Sequence, residues 1–177
     1  MIFFGHLGLT TGVMRLGEKL INKNVKNNIS IDYRYVLLGS ILPDIIDKPI
    51  GAVFFRNIFH NSRIFLHTLL FPIIFITIGL IFVKKNKAYL TIAISCFIHL
   101  ILDSMWLYPG ILLWPFFGLR FPVRPKGNWI KSDIIALLIN PAYYIPEIIG
   151  FSILLFYFIR IIKRDKLKSF IYTGKID

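Results

Sequence analysis

A histidine and an aspartate, His99 and Asp103, sit four residues apart inside the apolar stretch "CFIHLILDSMWLYPGILLWPF" at 96–116. An ionisable group at the centre of a bilayer helix costs about 2.5–3.5 kcal/mol on insertion scales, so such a pair is kept for a reason. Spaced i,i+4, the two side chains share one helix face. Asp44 and Asp47, in "LPDIID", are spaced i,i+3, and the remaining histidines are His6, His60 and His67. Imidazole and carboxylate together suit a divalent metal, zinc first, with manganese and iron also compatible. Buried acids are tolerated when paired or metal-bound. Taken singly, the same residues read as a hydrogen-bonded core histidine, an ordinary buried ion pair and a turn residue after a proline. Their convergence is what would favour a metal.

The elements that must position these groups are apolar segments. The 177 residues are 56% hydrophobic and 17% charged, with 17 phenylalanines and a mean hydropathy of +0.68. This is the composition of a membrane protein. The strongest span is "IFLHTLLFPIIFITIGLIFV", 64–83, closed by the basic "KKNK". Another runs from Ala88 through His99 and Asp103 toward Tyr108. A third covers 134–162, where Pro141 and Pro146 predict kinks. Residues 2–20 predict a helix whose Gly5, Gly8 and Gly12 allow close packing. Residues 33–46 are short for a full crossing, either tilted or re-entrant at Pro43. The expected fold is therefore all-α, a single integral-membrane helical bundle over 1–177. It has about five membrane segments, one of them short or re-entrant, and a basic C-terminal tail, 163–177.

The formal charge is +12, from 21 Lys and Arg against 9 Asp and Glu. In a soluble chain that excess would suggest nucleic acid. Here the basic residues flank apolar runs, and neither an RNA-binding aromatic motif nor a zinc finger is present, so no nucleic-acid partner is expected. With five spans, one side collects 14 basic residues, including the tail, and the other 7. That places the C-terminus in the cytoplasm. The expected location is the inner, cytoplasmic membrane, with the lipid bilayer as partner. His6, Asp44, Asp47, His60, His67, His99 and Asp103 then all fall toward the outer side. The single cysteine, Cys96, excludes an intrachain disulfide and a cysteine-cluster zinc site, and reads as a buried thiol. The N-terminal "MIFFGHLGLTTG" lacks the basic start of a cleavable signal peptide.

His6–Gly12, "GSILPDIID" at 39–47, a histidine segment at 60–68, "HLILD" at 99–103 and "LLWPF" at 112–116 occur in that order. The series resembles the YdjM-like family of membrane-bound proteins, described as metal-dependent hydrolases and as inner-membrane-associated, LexA-binding proteins. The likeness covers about residues 4–125. It implies a grouping with zinc-dependent phospholipases C and P1-type nucleases, helical enzymes that use His/Asp metal clusters on phosphodiesters. By this resemblance His6, Asp44, His67, His99 and Asp103 are the metal ligands, with Asp47 and His60 in a second tier. The family's "HRGxTHS" is replaced by "HNSRIFLHT", which separates His60 from His67 by seven positions.

A metal held there would acidify water and polarise a scissile group. Asp47 would orient the water or act as base. Arg63, with Arg120 and Arg124 on the same side, offers guanidinium forks suited to phosphate oxygens. The expected function is hydrolysis of a phosphodiester or lipid-type ester, on a membrane-associated or lipid-linked substrate. Two other classes fit the same cluster. A metal or ion transporter would want polar residues through the full depth and inverted repeats. A non-catalytic membrane scaffold would tolerate loss of the histidines and aspartates.

Overall fold

The computed structural model of the protein describes residues 2–24, 29–82, 87–123 and 129–176, with backbone alone for 129–133. Arg124, the Trp129 side chain and most of "KKNK" lie outside these. Among the described residues the chain is helical throughout, without a strand. Helix α1 spans Phe4–Asn24 and α2 spans Tyr33–Lys48, which runs on into a π-helical turn, Pro49–Phe54. A short α3, Arg56–Phe59, and a 3-10 turn, Phe65–His67, lead to α4, Leu70–Phe82. Helix α5, Ala88–Leu102, is followed by a 3-10 turn, Met105–Leu107, and by α6, Pro109–Leu112. Then come α7, Trp129–Ile139, α8, Pro141–Lys163, and α9, Leu167–Thr173.

Local sequence sets several of these boundaries. Asp32 caps α2 by accepting from the Arg34 amide, and Asn140 caps α8 by accepting from Ala142. Pro141 is the first residue of α8. At that position its missing N–H costs nothing, so the expected kink is a helix start that divides 134–162 in two. The segment 64–83 is likewise divided. Thr68 is extended, and the helix begins at Leu70. After Leu102, Asp103 caps α5 and Ser104 takes a left-handed conformation, φ 53°.

Glycines set how closely the helices approach. Helices α1 and α8 run side by side in the same direction, with Phe4 edge-on to Phe151. A Cβ on Gly8 would collide with the Gly150 carbonyl, and one on Gly150 with the Phe4 carbonyl. This is the close contact that Gly5, Gly8 and Gly12 predict, and its partner on α8 is Gly150. Glu147, one turn earlier on α8, accepts from the Ile2 amide at 2.6 Å and the Phe3 amide at 3.1 Å. It thereby caps the start of α1 from another helix. Helix α2 lies along α5, where a Cβ on Gly39 would fall 2.7 Å from the Ile92 carbonyl oxygen. Because the α1–α8 contact is backbone on backbone, Gly150→Val is expected to destabilise the protein by at least about 1–3 kcal/mol. Thermal unfolding in detergent would measure this.

Many polar side chains are buried beside two apolar clusters, one around Val36 and one around Met105, while much of the exterior is apolar. His6, Thr10, Ser40, Asp47, Ser95 and His99 are fully buried, whereas Ile81, Leu138, Ile139 and Phe156 are each more than half exposed. Of the described helices, Pro141–Lys163 is long and apolar enough to cross a membrane. Helices α4 and α5 are apolar but have 13 and 15 residues.

Candidate metal centre

The polar interior is concentrated where α1, α2, α5 and the 65–67 turn meet. His6 comes from the first turns of α1, Asp44 and Asp47 from the last turns of α2, His67 from the 3-10 turn, and His99 and Asp103 from the end of α5. One ligand atom from each of Asp44, His67, His99 and Asp103 lies within 4.8 Å of the others.

The hydrogen bonds around this group decide its chemistry. His99 Nδ1 lies 2.7 Å from the Ser40 carbonyl oxygen. A carbonyl only accepts, so Nδ1 carries the proton and Nε2 of neutral His99 presents its lone pair. His67 Nδ1 lies 2.7 Å from Asp47 Oδ2. An ionised carboxylate also only accepts, so Nδ1 of His67 carries a proton as well, and in the neutral ring Nε2 is the nitrogen that presents a lone pair. The two Nε2 atoms face each other at 3.4 Å. Asp44 Oδ1 is 3.5 Å from His67 Nε2 and is buried without a hydrogen-bond donor, and Asp103 Oδ2 is 3.9 Å from the same nitrogen. Lone pairs and anionic oxygens therefore converge on one another. A cation is the group that such a donor set fits, and imidazole with carboxylate is a zinc-type set.

The sequence around α2 explains the geometry. Pro43 has no amide hydrogen, so the Gly39 carbonyl loses its intrahelical partner. It accepts instead from the buried Cys96 thiol at 3.1 Å, which agrees with a structural role for Cys96. One residue on, the Ser40 carbonyl accepts from His99. Gly39 lets α5 approach closely enough for both contacts. The motif "GSILPD" thus joins a close helix crossing, a freed carbonyl and a ligand in six residues.

Asp47 is wholly buried and fully engaged. Its Oδ2 accepts from the amides of Ile64, Leu66 and His67 at 3.0–3.1 Å as well as from His67 Nδ1, and its Oδ1 accepts from Leu66 at 3.2 Å. It caps the 65–67 turn and fixes the His67 ring, the carboxylate–histidine arrangement of metal sites. Those bonds tie it to the turn and to the His67 ring. Spacing alone could not reveal this, because the bonded amides lie 17 to 20 positions away.

The other expected residues divide. The His6 ring stacks on His99 with centroids 4.0 Å apart, and its Nε2 lies 3.2 Å from Asp103 Oδ1. Neither His6 nitrogen makes a well-formed hydrogen bond, although the ring is completely buried. His6 thus borders the four-residue group. Arg63 Nη2 sits 2.7 Å from Asp103 Oδ2, with its guanidinium 5.8 Å from the centre of the Tyr108 ring. His60 departs from expectation. It is exposed, ends α3 in a left-handed conformation with φ 50°, and stands outside the convergent group. The stretch between His60 and the 65–67 turn is not helical, so the two histidines share no helix face. Lys48, which the sequence did not single out, joins the site through a 2.7 Å bond to Asp44 Oδ2.

Comparison with curated proteins and with solved structures returns no match. The family model of the YdjM inner membrane protein matches residues 1–167, which takes in every site residue named above, and the chain belongs to that family.

Proposed function

We propose that this protein is a membrane-embedded, metal-dependent hydrolase, acting on a phosphodiester or lipid-type ester at a His/Asp site near the extracytoplasmic surface. The observation that carries this reading is the pair of imidazole Nε2 atoms 3.4 Å apart, each ring held at Nδ1 by an acceptor, with two carboxylates aimed at the same space. Membrane embedding is supported by the family and by the apolar exterior. The parallel course of α1 and α8 agrees with five passes, the N-terminus outside and the C-terminus in the cytoplasm. In that arrangement α4 and α5 are short membrane segments, and α2 ends at the site.

A bound divalent cation, zinc by ligand type, would polarise the ester oxygen and acidify water. The chain's own residues do the rest. Asp47 and the Ser40 carbonyl hold the two imidazoles by their Nδ1 atoms, so that both Nε2 atoms point inward. Asp44 and Asp103 supply charge. Arg63 offers N–H donors to an anionic ester oxygen. His6, whose Nε2 lies 3.2 Å from Asp103 Oδ1, is the proton carrier there.

The test is hydrolysis of bis(p-nitrophenyl) phosphate and of phospholipid vesicles by protein purified in detergent. Activity should fall at least about a hundredfold with a chelator and return with zinc, since a metal's polarising effect is worth several kcal/mol. Metal-loaded protein without phosphodiesterase or lipid-esterase activity would refute the enzymatic reading.

A further inference from the structure

We infer that Lys48 and Arg63 form a two-cation clamp at the mouth of the metal centre, and that the group they receive is a phosphate-type oxyanion. This rests on the metal reading above and names the substrate chemistry that the site selects.

Each cation is bound to a carboxylate of the convergent group, Lys48 Nζ to Asp44 Oδ2 and Arg63 Nη2 to Asp103 Oδ2, both at 2.7 Å. Lys48 lies one turn beyond Asp44 on α2, whereas Arg63 reaches in from the segment before the 65–67 turn. Exposure orders the groups from floor to mouth. The His67 side chain is 0% exposed, Asp103 2%, Asp44 12%, Arg63 19% and Lys48 25%. Arg63 and Lys48 are thus the members of the group most open to solvent, and the imidazoles the least.

Charge then favours an anion. The described side chains of the site carry three carboxylates, Asp44, Asp47 and Asp103, against Lys48 and Arg63, an excess of one negative charge. A divalent ion among them reverses the balance to one positive charge. The carboxylates then need the two side-chain cations less, and a nearby anion is favoured among groups this buried. A phosphodiester has two non-bridging oxygens sharing one charge. Guanidinium has five N–H donors and ammonium three, so both can bridge from carboxylate to phosphate oxygen without leaving Asp103 or Asp44. A neutral ester would gain nothing from this pair. If the two cations served only as counter-ions to the acids, their removal would disturb metal retention and leave anion binding alone.

The experiment is titration calorimetry of inorganic phosphate into zinc-loaded, detergent-purified protein, with zinc per chain measured on the same samples. Lys48→Met should keep its zinc and bind phosphate at least tenfold more weakly than wild type, and Lys48→Arg should recover most of the affinity. Arg63→Gln should weaken phosphate binding in the same way. Undiminished phosphate binding by Lys48→Met overturns the clamp. So does loss of zinc from Lys48→Met, because Lys48 would then act through Asp44 alone. Wild-type protein that holds zinc but takes up no phosphate at millimolar concentration overturns it too. A wild-type protein that holds no zinc refutes the metal reading instead. Phosphate binding to that protein that still required Lys48 would sustain the clamp by itself, and its absence would end both.

Discussion

Asp47→Ala is expected to destabilise the protein by at least about 3–5 kcal/mol, the largest effect of any single substitution near the metal centre. The carboxylate accepts from three buried backbone amides and one imidazole. Each orphaned buried donor costs about 1–3 kcal/mol, and Asp47 is the acceptor for all three amides. Asp47→Asn separates the two roles of the residue. Its amide oxygen can still accept from part of the turn, but it loses the charge that steadies His67 in the tautomer with Nε2 bare. Metal affinity should therefore fall about 10–100-fold in Asp47→Asn, the usual cost of losing such a partner, even where the protein folds. Thermal unfolding and metal content measured together check both statements. An Asp47→Ala protein within about 1 kcal/mol of wild type would show that the turn is held in some other way.

Zinc should stabilise wild-type protein against heat, and His99→Ala should abolish that response. A ligand that binds only the folded state adds about 2.7 kcal/mol at a hundred times its dissociation constant. His99 supplies one of the two facing nitrogens, so without it the remaining Nε2 of His67 has no opposing imidazole. The comparison must be made with and without metal. Truncating a buried ring also leaves a cavity, and that cost appears in chelator as well as in zinc. A metal-dependent shift of the unfolding midpoint is expected in wild type and none in His99→Ala. Equal shifts in the two proteins would mean that zinc binds elsewhere.

Much of this site was legible in the sequence, for physical reasons. His99 and Asp103 are improbable in an apolar run unless something compensates them, and helix periodicity puts them on one face. Gly5, Gly8 and Gly12 announced a close helix contact, and the structure supplies Gly150 as the other half. His6, Asp44, His67, His99 and Asp103 do come together, although His6 stands at the border of the group. What spacing could not show is which atom bonds to which. The role of Asp47 depends on amides 17 to 20 residues away, and that of Lys48 on Asp44 turning one oxygen outward. Glu147 caps a helix that begins more than 140 positions earlier. Hydropathy also merged segments that backbone chemistry divides. It read 64–83 as continuous although Thr68 is extended, and it took Pro141 for a kink where it opens a helix. His60 was grouped through the family resemblance, and the chain carries it out to the surface.

All of these relations follow from one claim, that His67, His99, Asp44 and Asp103 converge because a divalent cation holds them together. Metal content of wild-type protein, purified in detergent from zinc-supplemented cells and measured by mass spectrometry, tests it most directly. About one tightly held divalent ion per chain is expected, retained through dialysis and released by acid. Protein that is folded yet carries no metal above the buffer background would contradict it.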